Sequence, residues 1–502
     1  MTVDFRQLAD VACETLGGSV LHATDDFFAE KERLIEASAP EWREHDYTPR
    51  GKWMDGWESR RKRAIGEHVH DEVVVRLAMP VVVRGIIVDT SFFRGNFPEG
   101  CEIDGCCARA DASVEELLSI RTEWLPLVGR SPLAGNANNE FSVTAEVVVT
   151  HVRLRIFPDG GVARLRVHGE VAPDWRRLGG ARNELDLAAL ENGGQVLACS
   201  DMFFGPKHNL IAPGRAINMG AGWETKRRRG VTHETHDWAV VALAAEGVID
   251  RVEVDTNHFK GNFPDTCSLE VASSAEGPWR SLLARTKLMA HTRHLYVEEL
   301  HDHGPCTHVR MNVFPDGGIS RLRVFGRLTE RAQQDAVARQ LRGLSEHALF
   351  EQLRACCASK DWVFAIARSR PFSSGSELFA KVDAAWAALP NDGWLEAFAA
   401  HPRIGERKGG HSRETRWSAA EQAGVTHAGA ETLAALAEAN ALYEQKFGYV
   451  FLICATGKTA ADMLHAARAR MLHTPDAELR VASAELLQIM HLRLRKLVGA
   501  QP

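Results

Sequence analysis

Apolar and polar residues alternate along most of the first 330 residues, and then the period changes. Two runs, VVVRLAMP and VVVRGIIVDT, begin at Val73 and Val81. Such runs, rich in β-branched residues, predict strands on a sheet. Residues 101–108, 124–133 and 141–148 predict further strands. The pattern ends in residues 150–169, THVRLRIFPDGGVARLRVHG. Two alternating runs flank a Phe-Pro-Asp-Gly-Gly turn, which predicts a β-hairpin. From about residue 330 the signal becomes helical. Residues 346–358, 376–388, 430–447, 460–471 and 477–498 carry Ala- and Leu-rich patterns, and the strand signal fades. The fold class expected is multidomain, with all-β units followed by an all-α domain of single-domain size.

The β part is duplicated. Residues 307–326, THVRMNVFPDGGISRLRVFG, match the first hairpin at 14 of 20 positions. DTSFFRGNFPEGC, from Asp89, matches DTNHFKGNFPDTC, from Asp255, at 8 of 13. GWESRR at Gly56 is answered by GWETKR at Gly222, and His70-Asp71 by His236-Asp237. The opening run through Asp25 is answered by that through Asp201. Duplicated strand-rich units with turns at short intervals predict a pair of β-sandwiches. We set the boundaries at 1–175, 176–330 and 335–502.

Composition narrows the function classes. Sixty basic and 66 acidic residues give a net charge of −6, so there is no basic footprint for nucleic acid or an anionic membrane. No apolar run approaches the roughly 18 residues of a membrane span. The first residues lack the basic start and apolar core of a signal peptide. The 10 cysteines form no CxxC pattern, which predicts reduced thiols in the cytoplasm and no zinc site.

The recurrent polar residues are the candidate chemistry of the β part. Each has a plainer reading alone. Asp25 and Asp201 can cap turns, Trp57 and Trp223 can pack a core, and Gly-Asn is turn material. As a set, Trp-Glu, His-Asp and [Arg/Lys]-Gly-Asn fall at strand ends, where loops carry sites. Glu58, Glu224, His70 and His236 suit proton transfer. Arg94 and Lys260 suit a carboxylate ligand. Asn96 and Asn262 complete the [Arg/Lys]-Gly-Asn loops.

These motifs, with both FPDGG hairpins, resemble allantoicase over residues 14–330. The resemblance implies two jelly-roll sandwiches of the galactose-binding-like kind. It also implies hydrolysis of allantoate to ureidoglycolate and urea. A divalent metal on His, Asp or Glu is compatible with that chemistry, and the motifs contain no clean metal triad. The rival reading is a non-catalytic carbohydrate-binding or scaffolding module. The acid–base set distinguishes the two, since a lectin needs exposed aromatics more.

In the helical part, HPRIG at His401, WSAAEQ at Trp417, NALYEQKFGYVFLICATGK and ELLQIMHLRLRKLV together resemble 2-oxo-4-hydroxy-4-carboxy-5-ureidoimidazoline (OHCU) decarboxylase. Singly, His401 before Pro402 is a loop residue, Glu421 completes a capping box with Ser418, and Arg493 is a surface cation. A helical interaction domain is the rival reading. The resemblance implies an all-helical, cofactor-free enzyme giving (S)-allantoin. Carried over by residue, His401 is the catalytic histidine, with Glu421 and Arg493. Pro402, Ser418 and Gln422 line the substrate, and Phe451, Leu452, Ile453, Cys454 and Ala455 form a backbone wall. His473 departs from the polar turn residue expected in its loop. The partners expected are the two small-molecule substrates, in a homo-oligomer.

Overall fold

The computed structural model describes residues 4–63, 66, 68–173, 184–230, 232–342, 344–401, 403 and 430–498. They fall into two compact units, one up to Arg327 and one from Leu328. The first is built of strands and holds both repeats. The second is helical.

Each repeat is organised on one 19-residue strand, Asp71–Asp89 and Asp237–Asp255. The two runs that begin at Val73 and Val81 are therefore one strand, where the pattern predicted two. Its first half lies between Ser19–Ala23 and Val148–Phe157. Its second half lies between Arg164–Val171 and Asn138–Ser142. The pairing register with Val148–Phe157 breaks between Arg76 and Val81. Pro80, which has no N–H to give a ladder, sits in that break. One strand thus belongs to both layers of the sandwich. Gly100–Cys106 and Leu125–Pro132 extend the first layer. The second repeat does the same, with its break between Ala242 and Gly247. The two repeats touch through Lys207, which is buried and donates to Gln7 Oε1 at 3.0 Å.

Under each hairpin lies a buried arginine, and the two are held differently. Arg164 grips buried Asp55 with bonds of 3.2 and 3.0 Å. Arg321, its counterpart, donates to the carbonyls of Asn209, Gly214 and Ala221. Burial lowers the Arg321 guanidinium to about 10. Removing one partner of a buried ion pair strands the other charge. Arg164→Met leaves buried Asp55 with only the more distant Arg33, at 3.6 Å, and should cost about 3–5 kcal/mol. Arg321→Met strands only carbonyls and should cost about 1–3 kcal/mol. Denaturant unfolding of the two variants checks the order.

The helices of the second unit start where Ser and Thr can cap them. Ser345, Ser359, Ser374, Thr459 and Thr474 each accept a first-turn N–H. The expected helices are present, as Glu346–Cys356, Gly375–Ala387, Ala430–Phe447, Ala460–Arg470 and Pro475–Lys496. Glu330–Arg342 and Lys360–Arg368 are additional. The segment between Phe447 and Ala460 runs through the interior. Phe451 packs there with Tyr443, Leu436, Met463 and Ala467.

Candidate active sites

In each repeat the recurrent polar motifs converge on one place. Trp57–Glu58 pairs with Gly161–Val162 of the hairpin. The hairpin turn lies against the Gly-Asn loop, with Gly161 N–H donating to the Asn96 carbonyl at 2.8 Å. Only glycines allow this approach. A Cβ on Gly160 (φ +134°) would lie 2.7 Å from the Asn96 carbonyl, and one on Gly161 1.9 Å from the Phe93 ring. The contact brings two side chains together: Asn96 Nδ2 donates to Glu58 Oε1 at 2.7 Å. Burial raises the Glu58 pKa, against the Asn96 bond and the Arg61 charge. Arg61 donates to Asp159 of the turn at 2.9 Å and to the Gly95 carbonyl at 3.0 Å. Lys62 donates to buried Asp71 at 2.6 Å.

The second repeat reproduces the arrangement. Asn262 donates to Glu224, Trp223–Glu224 pairs with Gly318–Ile319, and Arg228 pairs with Asp237. The surroundings differ. Phe203 and Phe204 beside Glu224 are 64% and 61% exposed. In the first repeat Phe27 is 36% exposed, with Arg50 and Arg60 over its ring. Trp42 stacks at 6.0 Å on Phe92, in the loop that carries Asn96.

The other candidates fall into three groups. Trp57 and Trp223 are fully buried, and each donates its indole N–H to a carbonyl, of Asp25 at 2.8 Å and of Asp201 at 2.9 Å. The Asp25 carboxylate holds Arg60 at 2.6 Å, and that of Asp201 accepts the Lys226 N–H. The two tryptophans are therefore core, and the two aspartates tie down the segments that follow Glu58 and Glu224. His70 and His236 pack on Phe157 and Phe314 of the hairpins and donate Nδ1–H to the carbonyls of His68 and Glu234. Arg94 and Lys260 are exposed on the Gly-Asn loops. Sequence reasoning left out Arg61, Lys62 and Asp159. The signal was present, because Asp159 recurs as Asp316, which accepts the Arg228 N–H at 2.8 Å.

In the helical unit His401 is buried just past the helix Asn391–Ala399. Its Nδ1 lies 3.1 Å from the Ala397 carbonyl. A carbonyl only accepts, so Nδ1 carries a proton and Nε2 is the ring nitrogen turned to other partners. Arg493 is buried on the helix Pro475–Lys496. Phe451, Leu452, Ile453, Cys454 and Ala455 are all buried. Pro402, Ser418, Glu421 and Gln422 lie outside the described residues. His473 donates to fully buried Glu478 at 2.7 Å, and Glu478 also takes Arg470 and Tyr443. Burial, and then the bond to Glu478, push the Tyr443 phenol up.

Among the described residues no group of three or more His, Cys, Asp or Glu is placed to hold a metal ion. No described helix is long and apolar enough to cross a membrane.

Comparison with known proteins gives the same division. The allantoicase repeat model matches residues 9–172 and 185–329, and the OHCU decarboxylase model matches residues 342–495. A probable allantoicase of Photobacterium profundum is 48% identical over 334 residues, covering 64% of this chain and 98% of that protein. A crystal structure of allantoicase from Saccharomyces cerevisiae is 31% identical, covering 64% of this chain and 96% of that one, with a TM-score of 0.56. An OHCU decarboxylase crystallised with (S)-allantoin is 35% identical, covering 29% of this chain and 95% of that one, with a TM-score of 0.26.

Proposed function

The chain belongs to the allantoicase family through its two β repeats and carries an OHCU decarboxylase domain after them; from that premise we propose how its residues perform two reactions of purine catabolism. The first hydrolyses allantoate to ureidoglycolate and urea. The second decarboxylates OHCU to (S)-allantoin.

For the hydrolysis we place the working site in the first repeat, at Glu58 and Asn96. The observation that carries this is the half-buried Glu58 carboxyl, raised by burial and bonded to Asn96. A carboxyl so raised holds a proton closer to neutrality and can deliver it to a leaving ureido nitrogen. Water adds to the central carbon as the C–N bond breaks, and Glu58 recovers a proton from that water. Exposed Arg94 holds the substrate carboxylate and Asn96 a ureido amide. His70 completes this set, and Lys260, Glu224, Asn262 and His236 form the corresponding set in the second repeat.

For the decarboxylation, the bond to the carboxyl carbon breaks and CO2 leaves. Electron density stays on a carbon flanked by nitrogen and carbonyl groups. Arg493 stabilises the anionic oxygen, and His401 delivers a proton to one face, which sets the chirality. Glu421 serves as relay, and Pro402, Ser418, Gln422 and residues 451–455 shape the pocket. No cofactor is needed for this step. The boundaries 1–175, 176–330 and 335–502 remain our division into functional domains. We place the enzyme in the cytoplasm as a homo-oligomer acting on small molecules, with no nucleic-acid or membrane partner. Ten free thiols support a reducing compartment.

The deciding experiment is urea release from allantoate by the purified chain, with and without a chelator. Loss on chelation, restored by a divalent ion, would assign a metal to the hydrolase. No release with metals supplied would favour the carbohydrate-binding reading. Arg94→Met should weaken allantoate binding about 10- to 150-fold, since one charge-assisted bond is worth roughly 1.5–3 kcal/mol. Lys260→Met should leave it unchanged. The reverse result would move the site to the second repeat.

A further inference from the structure

In a helical unit, the buried segment 451–455 is an anomaly. Its side chains are between 2% and 8% exposed, and it belongs to no helix or strand. Buried backbone groups still need partners, and here side chains supply them. Cys454 N–H donates to Glu485 Oε2 at 2.7 Å. Lys458 Nζ donates to the Cys454 carbonyl at 2.6 Å. Arg470 Nη1 donates to the Leu452 carbonyl at 2.8 Å.

Two of these three anchors lead to one helix. Glu485 stands on Pro475–Lys496. Arg470 is held by Glu478 of the same helix, through Nε at 2.8 Å and Nη2 at 2.5 Å. Tyr443 and His473 complete the shell of that carboxylate. A buried carboxylate is costly unless its oxygens are well satisfied, and this one takes three partners. Arg493 follows Glu485 by eight residues, and Glu485 follows Glu478 by seven. At about 3.6 residues per turn the seven-residue step falls about 20° short of two turns and the eight-residue step passes them by about 80°, so all three lie within roughly a quarter of the helix circumference.

We propose that Glu485, and Glu478 acting through Arg470, are positioning residues of the decarboxylase. They fix the 451–455 wall in register with Arg493, so that wall and cation move as one body. The proposal rests on the reading that this wall and Arg493 face the substrate. Stereospecific protonation needs the reacting carbon held in one place. A displacement near 1 Å costs on the order of 100-fold in rate.

The test compares Glu485→Leu with Glu485→Gln in the full chain. Freshly generated OHCU is the substrate, and kcat, KM and the chirality of the allantoin are the readouts. Glu485→Leu should lower kcat about 10- to 100-fold and erode the excess of (S)-product. Glu485→Gln keeps an oxygen that accepts the Cys454 N–H and should restore both. If Glu485→Leu does not fold, Arg470→Lys carries the test, since it keeps the charge beside Glu478 but lacks the forked donor. It should lower kcat and product chirality in the same way. Native kcat and chirality in a folded Glu485→Leu, or in Arg470→Lys, overturn the proposal. So does a Glu485→Gln enzyme as impaired as Glu485→Leu. A His401→Asn control separates the two readings. If it too is fully active, the active-site assignment fails; if it is inactive while Glu485→Leu is normal, only the positioning role fails.

Discussion

His401→Asn is expected to remove most of the decarboxylase activity, by about 10²- to 10⁴-fold, and to leave urea release from allantoate intact. The residue sits at the end of the helix Asn391–Ala399, with its backbone N–H bonded to the Phe398 carbonyl at 3.0 Å. Nδ1 is committed to the Ala397 carbonyl, so proton transfer runs through Nε2. Asparagine can keep the bond to Ala397, but it cannot shuttle a proton near neutral pH. The hydrolase belongs to a separate compact unit with its own core and should not respond. Chirality is the better readout, because uncatalysed loss of CO2 gives racemic allantoin. Native rates of (S)-allantoin from His401→Asn would reduce His401 to a loop residue.

The duplicated β architecture was legible because alternation and turn chemistry are local signals. The Asp71–Asp89 strand reads as two runs because Pro80 looks like a break. It fits because the ladder register breaks around it. The helix Lys360–Arg368 gives little helical signal for a related reason. DWVFAIAR is rich in aromatic and β-branched residues, and burial of Trp362, Val363 and Ile366 overrides that propensity. At the sites, Glu58 and Asn96 were both named, but the bond between residues 38 apart is set by how the hairpin turn seats on the loop. The Arg470–Glu478 pair has no local signature. Its one sequence trace is the shared helical face of Glu478, Glu485 and Arg493, which reads equally well as an ordinary charged stripe.

Glu58→Gln is the second large expectation, and it moves two observables in opposite directions. Urea release should fall by about 10²- to 10⁴-fold, the usual worth of a general acid–base residue. Gln keeps an oxygen for Asn96, so the loop should hold its shape. Stability should rise. Burial lifts the Glu58 carboxyl above its ordinary 4.5. The folded chain therefore binds more protons than the unfolded chain between that value and the raised one. Stability falls as pH climbs through this window, and the cost is complete above it. Gln has no charge to desolvate. Glu58→Gln should melt higher than the native chain at pH above the window, and the difference should vanish as pH falls toward 4.5. Such exchange of stability for activity is common where a strained group does chemistry. Glu224→Gln is the control in the second repeat, where the rim aromatics are open to solvent, and it should cost urea release less than about tenfold. Thermal melts at two pH values and one urea assay settle the case. Unchanged urea release in Glu58→Gln would make the bond to Asn96 scaffolding, and a collapse in Glu224→Gln instead would place the hydrolase in the second repeat.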